Sequence, residues 1–342
     1  MKAAVVQEDK TVKVAEKAVP KLQPNEILLK TVSVGLNPTD WKHVKNFSRP
    51  GDIVGCDFVG KVVEIGSEVP VGEIKEGEVR WGFTRGGVDG ERGGFAEYVA
   101  VDWDLSSVVP SNVTPQEASS IPIPFLTSVQ ALYIHLGVPE PPEKVSGEPW
   151  ILIWSGFTAV GRYAIQLAKL SGFKVATTAS EKNWAKLKEY GADVVFDYKD
   201  PDVVKKLKEA TGDKIEYGFD CISEKGSVQL SQQAFRPEGG RLILLLPTPS
   251  ESELPRPDVK TSTTLAYMML GTPIQWGKIT LPAQPEDRAC FVRWTKITTE
   301  LFAKGAIKPL DVHVVGDLDK IQEALDMLQS GKHSTKLVLN VS

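Results

Sequence analysis

The sequence predicts an α/β chain in two parts, a β-rich unit interrupted by a doubly wound parallel sheet. Three observations predict it. Between Trp150 and Leu246, short continuous apolar runs alternate with helical segments of roughly ten residues, the pattern of parallel strands buried on both faces. Ahead of them the chain is rich in turns, with short β-branched runs between Gly, Pro and Asn breakers. After about residue 273 the texture returns to mixed helix and strand, so the last segment is expected to rejoin the first. The expected division is 1–121 with 273–342, and 122–272 between them.

The elements follow in order. The N-terminus alternates apolar and polar residues from MKAAVV onward and reads as a strand, not as a targeting peptide. Glu26–Val34 and Gly60–Ile65 are predicted strands, and Phe95–Val101 is another behind the Gly-rich stretch Gly82–Gly94. Pro115–Ser120 and Leu126–Leu136 read as helices, the second apolar on nearly every side and so buried. Pro139, Pro141 and Pro142 then stop helix. Trp150–Trp154 opens the parallel series, with a helix over Val160–Ser171. Lys174–Thr178 and Val194–Phe196 are the next strands, with a helix at Asn183–Tyr190 between them. The charged helix Pro201–Thr211 leads to Tyr217–Ile222, and Arg241–Leu246 closes the series. A helix at Pro285–Lys304, a strand at Leu310–Val315, a helix at Leu318–Ser330 and a strand at Lys336–Val341 complete the chain.

Composition excludes several classes. Lys and Arg number 40 against 44 Asp and Glu, a net charge of −4. That balance leaves no basic footprint for nucleic acid or an anionic membrane. No apolar run approaches the roughly 18 residues of a spanning helix. Cys56, Cys221 and Cys290 are too few and too scattered for a disulfide framework, which suits a reducing, cytoplasmic compartment.

The turn after Trp154 reads Ser155-Gly156-Phe157-Thr158-Ala159-Val160-Gly161. Dinucleotide-binding turns want glycine for tightness, for backbone approach to the pyrophosphate and for helix–strand packing. Gly156 and Gly161 hold the outer positions and Thr158 the middle one. Helix N-terminal amides can still face a phosphate there, with the Thr158 hydroxyl as a further donor. At the end of the second strand, an NAD site would place a carboxylate about 20 residues on, for the ribose 2′-hydroxyl. Here stand Ser180, Glu181, Lys182 and Asn183. Hydroxyl and cationic donors suit a 2′-phosphate, so NADP(H) is the expected cofactor; Ser180 equally suits a helix cap.

Metal-ligand arithmetic points the other way from zinc. A structural zinc site needs four closely spaced Cys or His ligands, and a catalytic site three that converge. His43, His135, His313 and His333 show no close pairing, and Cys56 reads as a buried cysteine beside a strand.

With these residues in hand, the chain resembles the medium-chain dehydrogenase/reductase superfamily over essentially its whole length. It is most similar to the zinc-independent fungal branch of trans-acting enoyl reductases, ToxD-like proteins and quinone- or aldehyde-reducing relatives. The resemblance rests on LNPTDWK (36–42), GCDF (55–58), GFAEY (94–98), SGFTAVG (155–161), LKEYGAD (187–193) and STKLV (334–338). It implies a GroES-like catalytic domain and a Rossmann NADP-binding domain. Asn37-Pro38-Thr39-Asp40 and Cys56 stand in the motifs where zinc-dependent members carry a ligating cysteine and a ligating histidine, so it also implies no zinc.

The resemblance assigns residues too. Thr39, Asp40, Trp41 and Lys42 would line the nicotinamide side, and Phe157, Thr158, Ala159 and Val160 the pyrophosphate. Ser180, Glu181, Lys182 and Asn183 would hold the 2′-phosphate, with Tyr198 at the same adenosine end. Leu245 and Leu246 would meet the nicotinamide ribose through backbone groups, and Leu337 and Val338 would close over the cofactor.

The expected reaction is hydride transfer from NADPH to a conjugated carbonyl, an enoyl-type reduction. Quinone or aldehyde reduction is the alternative, and a non-catalytic NADPH-binding scaffold the second. Lys42 or Thr127 would bond the developing enolate oxygen. Tyr133, Tyr267 or water would give the proton. Ala266, Tyr267, Met268, Met269 and Leu270, with Pro122–Thr127, would form a pliable substrate wall. The expected partners are a small hydrophobic conjugated carbonyl or quinone and, in the polyketide members, a synthase acyl carrier; the protein would be a monomer or homodimer.

Overall fold

β-Branched and apolar runs between Gly, Pro and Asn breakers make the first sheet. The structure, a computed structural model, describes residues 1–88, 90–276 and 279–341. The chain divides into two units, 1–123 with 267–342, and 124–266. The division falls two residues later and six residues earlier than the texture of the sequence suggests.

In unit 1, β1 (Lys2–Val6) folds back antiparallel on β2 (Val12–Glu16), so the predicted N-terminal strand is half of a ribbon. β3 (Glu26–Gly35) is the spine of the larger sheet. It is followed by α1 (Pro38–Asn46), β4 (Asp57–Ile65), β5 (Val79–Phe83), β6 (Tyr98–Asp102), β7 (Ser107–Val108) and the single turn α2 (Pro115–Ala118). β4 runs along one edge of β3, and β6 pairs with the first half of the other edge.

α3 (Pro122–Val129) crosses the division and continues as a π-helical turn over Gln130–His135, where the sequence suggested one helix from Leu126. In unit 2 come β8 (Trp150–Trp154), α4 (Ala159–Leu170), β9 (Lys174–Thr178), α5 (Trp184–Glu189), β10 (Val194–Phe196), α6 (Val203–Thr211), β11 (Ile215–Asp220), α7 (Ser227–Gln233), β12 (Gly240–Leu244) and β13 (Val259–Thr263). All the strand pairs are parallel, in the order β10-β9-β8-β11-β12-β13. By rank in the chain this is 3-2-1-4-5-6, the dinucleotide-binding order with its switch point between β8 and β11. Leu245 and Leu246 have left β12 and are only half-buried, a correction to their reading as strand and core.

Unit 1 then resumes with the hairpin β14 (Ile274–Trp276) and β15 (Ile279–Leu281), α8 (Pro285–Ala303), β16 (Val312–Asp317), α9 (Ile321–Ser330) and β17 (Lys336–Asn340). β17 pairs antiparallel with the second half of β3, at Ser33–Gly35. The returning segment thus rejoins the first sheet as expected. Its core packs Val34, Leu36, Phe58 and Phe95 with Leu325, Leu337 and Leu339. No helix among the described residues is long and apolar enough to cross a membrane.

Gly35 ends β3 against the turn of α2. A Cβ there would lie 1.9 Å from the Ser119 carbonyl oxygen, a backbone atom that cannot swing aside. Gly35→Ala should therefore cost about 3 kcal/mol by overpacking, read as a lower urea midpoint. An unchanged midpoint would mean that α2 is free to shift.

Candidate functional site

Parallel pairing sends the C-terminal ends of the strands of unit 2 to one edge, and the residues of that unit predicted to meet a cofactor follow those ends, whereas Thr39, Asp40, Trp41, Lys42, Leu337 and Val338 lie in unit 1. After β8, Ser155 takes a left-handed φ of 59°, an uncommon state for a residue with a Cβ. Its N–H donates to Thr178 Oγ1 at 3.0 Å, and Gly156 N–H to Thr178 O at 3.0 Å, so β9 pins the loop. A Cβ on Gly156 would meet Thr177 Oγ1 at 2.1 Å, and one on Gly161 would meet Gly156 Cα at 2.7 Å. Both glycines are required by close packing. Thr158 caps α4, its Oγ1 accepting from Gly161 N–H at 3.0 Å. The same hydroxyl also hydrogen-bonds the Cys221 thiol, and the first amides of α4, Ala159 and Val160, have no carbonyl one turn back. Phe157 lies under the Arg162 guanidinium, 4.9 Å from its ring centroid. This cradle fits a dinucleotide pyrophosphate.

Beyond β9, Ser180 opens a 3-10 turn without its side chain capping it, and Asn183 precedes α5 in the same way. Glu181 and Lys182 are exposed. Tyr198, just past β10, is 42% exposed, with Lys199 Nζ 5.8 Å from its ring centroid. At the end of β11, Asp220 is buried, which raises its carboxyl, and it accepts from the N–H groups of Ile222 and Ser223. Ser223 has φ 55°, and its Oγ accepts from Leu245 N–H at 2.9 Å. The Leu245 amide is thereby engaged within the unit.

Unit 1 carries a second group, buried and polar, around the start of α1. Asn37 and Asp40 form a capping box in which Asp40 Oδ2 accepts from Asn37 N–H at 2.6 Å. Asn37 Nδ2 donates to Asp57 Oδ2 at 2.7 Å, and Ile123 N–H donates to Asp57 Oδ1 at 2.9 Å. The Lys336 ammonium donates to Asn37 Oδ1 and stands 3.5 Å from Asp57 Oδ2. Burial pushes Asp57 up to about 6 in spite of that ammonium. Burial, reinforced by Asp57, pushes Asp40 up to about 7 against the Asn37 amide. Asp40 Oδ1 makes no hydrogen bond of good geometry, although the Cys56 thiol lies beside the carboxyl.

From there a chain of hydrogen bonds runs through Tyr267. Its hydroxyl lies 2.7 Å from Thr39 Oγ1 and 3.3 Å from Cys56 Sγ. Thr39 Oγ1 lies 3.1 Å from His43 Nε2, and His43 Nδ1 lies 2.9 Å from Gly86 O. Chemistry assigns the protons. A carbonyl only accepts, so Nδ1 carries hydrogen. Burial, with the Arg85 charge beyond it, pushes His43 down to about 4, so the ring is neutral and Nε2 accepts. Thr39 therefore donates to His43, and Tyr267 donates to Thr39. Burial pushes both the Tyr267 hydroxyl and the Cys56 thiol well up. This chain also explains why 267–271 belong with unit 1.

The structure redistributes several expectations. Asp40 is spent on the capping box and is 1% exposed, so it does not line a ligand. Trp41 packs on the core, and Lys42 lies over its ring. Leu337 and Val338 are interior to β17, and the Leu337 carbonyl is taken by Leu36 N–H at 3.0 Å. Tyr133 stands apart: its hydroxyl lies 2.8 Å from Ser171 Oγ, at the far end of α4 from the glycine loop. Thr127 is buried in α3. Ala266, Tyr267, Met268 and Met269 are buried in one 3-10 turn, and Leu270 is half-buried. Sequence reasoning passed over His43, Asp57, Lys336 and Arg85; only the neighbouring motifs signalled them.

Zinc would not fit the residues around Asn37. An amide replaces one thiolate, both His43 nitrogens are engaged, and the Lys336 ammonium already contacts Asn37 and Asp57.

A 3-2-1-4-5-6 sheet with a capped glycine loop, encoded between the two chain segments of a GroES-like β unit, is the fold of the two-domain oxidoreductases. The sequence comparisons place it. Residues 23–111 match the alcohol dehydrogenase GroES-like domain, and residues 159–280 the zinc-binding dehydrogenase domain. A trans-enoyl reductase of Alternaria alternata is 36% identical over 99% of this chain and 98% of its own. Another from Cochliobolus carbonum is 39% identical over 75% of this chain and 86% of its own. An alcohol dehydrogenase superfamily protein from Novosphingobium aromaticivorans shares the fold, with a TM-score of 0.83 at 24% identity and full coverage of both chains. The chain belongs to the medium-chain dehydrogenase/reductase family.

The buried carboxyls set a pH dependence. Folded, Asp40 holds its proton up to about 7, against an ordinary 3.8, so the folded state binds more protons between those values. Stability contributed by the protonated carboxyl is full below 3.8 and is lost as pH rises toward 7. Relative to Asp40→Asn, the wild type should lose up to about 1.4 kcal/mol per pH unit in that window. Denaturant midpoints at pH 5 and 8 check this; parallel shifts in the two proteins would contradict the assignment.

Proposed function

We propose that the protein is an NADPH-dependent, zinc-free reductase of conjugated carbonyls, of enoyl type. The likeness to trans-enoyl reductases, end to end for the one from Alternaria alternata, carries this reading. The zinc-incompatible donor set supports it from within. With no metal to polarise an oxygen, an isolated ketone is a poor acceptor, whereas an enoyl thioester spreads the developing charge along its own π-system. A thioester on the acyl carrier of a polyketide synthase has this chemistry.

Bound at the edge of unit 2, NADPH would supply the hydride. The substrate would take up a hydride at its β-carbon and a proton at its α-carbon, with negative charge developing on the carbonyl oxygen between the two. The amides of Ala159 and Val160 and the Thr158 hydroxyl hold the pyrophosphate. Ser180, Lys182 and Asn183, with no side-chain hydrogen bond inside the protein among the described residues, hold the 2′-phosphate; Tyr198 flanks the adenosine. Lys42, three residues after Thr39 on α1, donates to the carbonyl oxygen. The Tyr267 proton is committed to Thr39, so Tyr267 positions the substrate and water supplies the proton.

Two measurements test the reading. NADPH oxidation should be fast with 2-enoyl thioesters and slow with quinones and aldehydes. The reverse order would make the protein a detoxifying reductase, and tight NADPH binding without turnover a scaffold. Ser180→Ala with Lys182→Ala should raise the KM for NADPH at least about tenfold, roughly 1.4 kcal/mol, while the KM for NADH changes less than about threefold. Equal losses with both cofactors would overturn the 2′-phosphate assignment.

A further inference from the structure

Arg85 lies in the loop after β5 and is only 8% exposed. A guanidinium has five N–H donors and no acceptor. Here one contact is to a neutral group, Nη2 donating to Gln275 O at 2.9 Å, and Nε is buried without a hydrogen-bond partner. No carboxylate pairs with Arg85 among the described residues, although the buried Arg80 has Glu78 at 2.8 Å. The guanidinium carbon also lies 5.9 Å from the centroid of the Tyr267 ring. Its charge also reaches His43 and disfavours the imidazolium.

Burying a charge without a counter-charge costs free energy, and proteins otherwise pair or hydrogen-bond such groups. The fold satisfies other buried charges nearby: Lys336 has Asn37 and Asp57, and Asp57 has Asn37 and Ile123. Arg85 alone of these keeps a free, desolvated donor, beside the hydroxyl chain that runs from Tyr267 through Thr39 to His43. The planar fork of a guanidinium matches a carboxylate or an enolate-like oxyanion better than a point cation would.

We propose that Arg85, stacked on Tyr267, is an anion-binding subsite of unit 1 that takes a planar oxyanion of the substrate. This deepens the reductase reading and rests on it for the word substrate. The oxyanion has two sources, a carboxylate carried by the acceptor or the oxygen that becomes negative during reduction.

The test begins with binding, without cofactor or turnover. Titration calorimetry with trans-2-butenoate and with its neutral amide should give the carboxylate at least about tenfold tighter binding to the wild type. That preference should vanish in Arg85→Gln and survive in part in Arg85→Lys, with melting curves confirming that both variants fold. Wild type showing no preference, or Arg85→Gln retaining it, would overturn the subsite. Kinetics then separate the sources. A tenfold fall in kcat on a neutral enoyl thioester in Arg85→Gln marks the developing oxyanion. A tenfold rise in KM confined to a carboxylate-bearing acceptor marks the fixed one. If the wild type binds butenoate but reduces no acceptor, the reductase reading fails while the subsite stands.

Discussion

The Lys336 ammonium, donating to Asn37 Oδ1 and standing 3.5 Å from Asp57 Oδ2, joins distant segments of unit 1 at one point. It opens β17, Asn37 precedes α1, Asp57 opens β4, and Ile123 N–H closes the network from the start of α3. The partners lie 279 and 299 residues apart in the chain. Every polar group in such a network must find its partner, because each would be costly to leave unmet away from water. Docking β17 on the second half of β3 therefore fixes α1 as well, and α1 carries Thr39 and His43. A buried organic cation thus does for this unit what a metal does elsewhere: it orders carboxylate and amide ligands drawn from distant segments.

Unit 2 reaches its order by another route. Its strands are all parallel, so their carboxyl ends share an edge without any charged link. The price appears as local backbone strain. Ser155, Ser223 and Lys225 all take left-handed φ values at the ends of β8 and β11, the pair that flanks the switch point. Strain of this kind persists where surrounding hydrogen bonds over-determine it. Ser155 is held by Thr178, and Ser223 by Asp220 and Leu245. Ser155 lies in the glycine loop itself.

Legibility from sequence follows the same contrast. WILIW, KVATT and VVF are strands at the residues where their apolar runs suggest them, because burial on both faces leaves an unmistakable pattern. β13, with the polar sequence VKTST at the sheet edge, and α1, with the charged PTDWKHVKN, left no such pattern. The glycine loop could be read because close backbone packing demands particular residues at particular spacing. Tyr133 misled because a tyrosine in an apolar helix reads alike whichever way its hydroxyl points. The Thr39–Tyr267 bond spans 228 residues, and Arg85 sits in a stretch that reads only as Gly-rich turn. Long-range polar pairing has no periodicity to announce it.

The direction of the hydroxyl chain adds a last constraint. A backbone carbonyl at Gly86 anchors one end, and a neutral His43 transmits that polarity through Thr39 to Tyr267. Reversing the chain would require an imidazolium, and burial together with the neighbouring Arg85 charge opposes it. The cation that disfavours protonated His43 is thus the one whose charge has no carboxylate partner among the described residues. An oxyanion arriving at Arg85 would offset the field that holds His43 neutral, easing its protonation. Burial is the larger cause of the neutral ring, and the Arg85 charge adds to it.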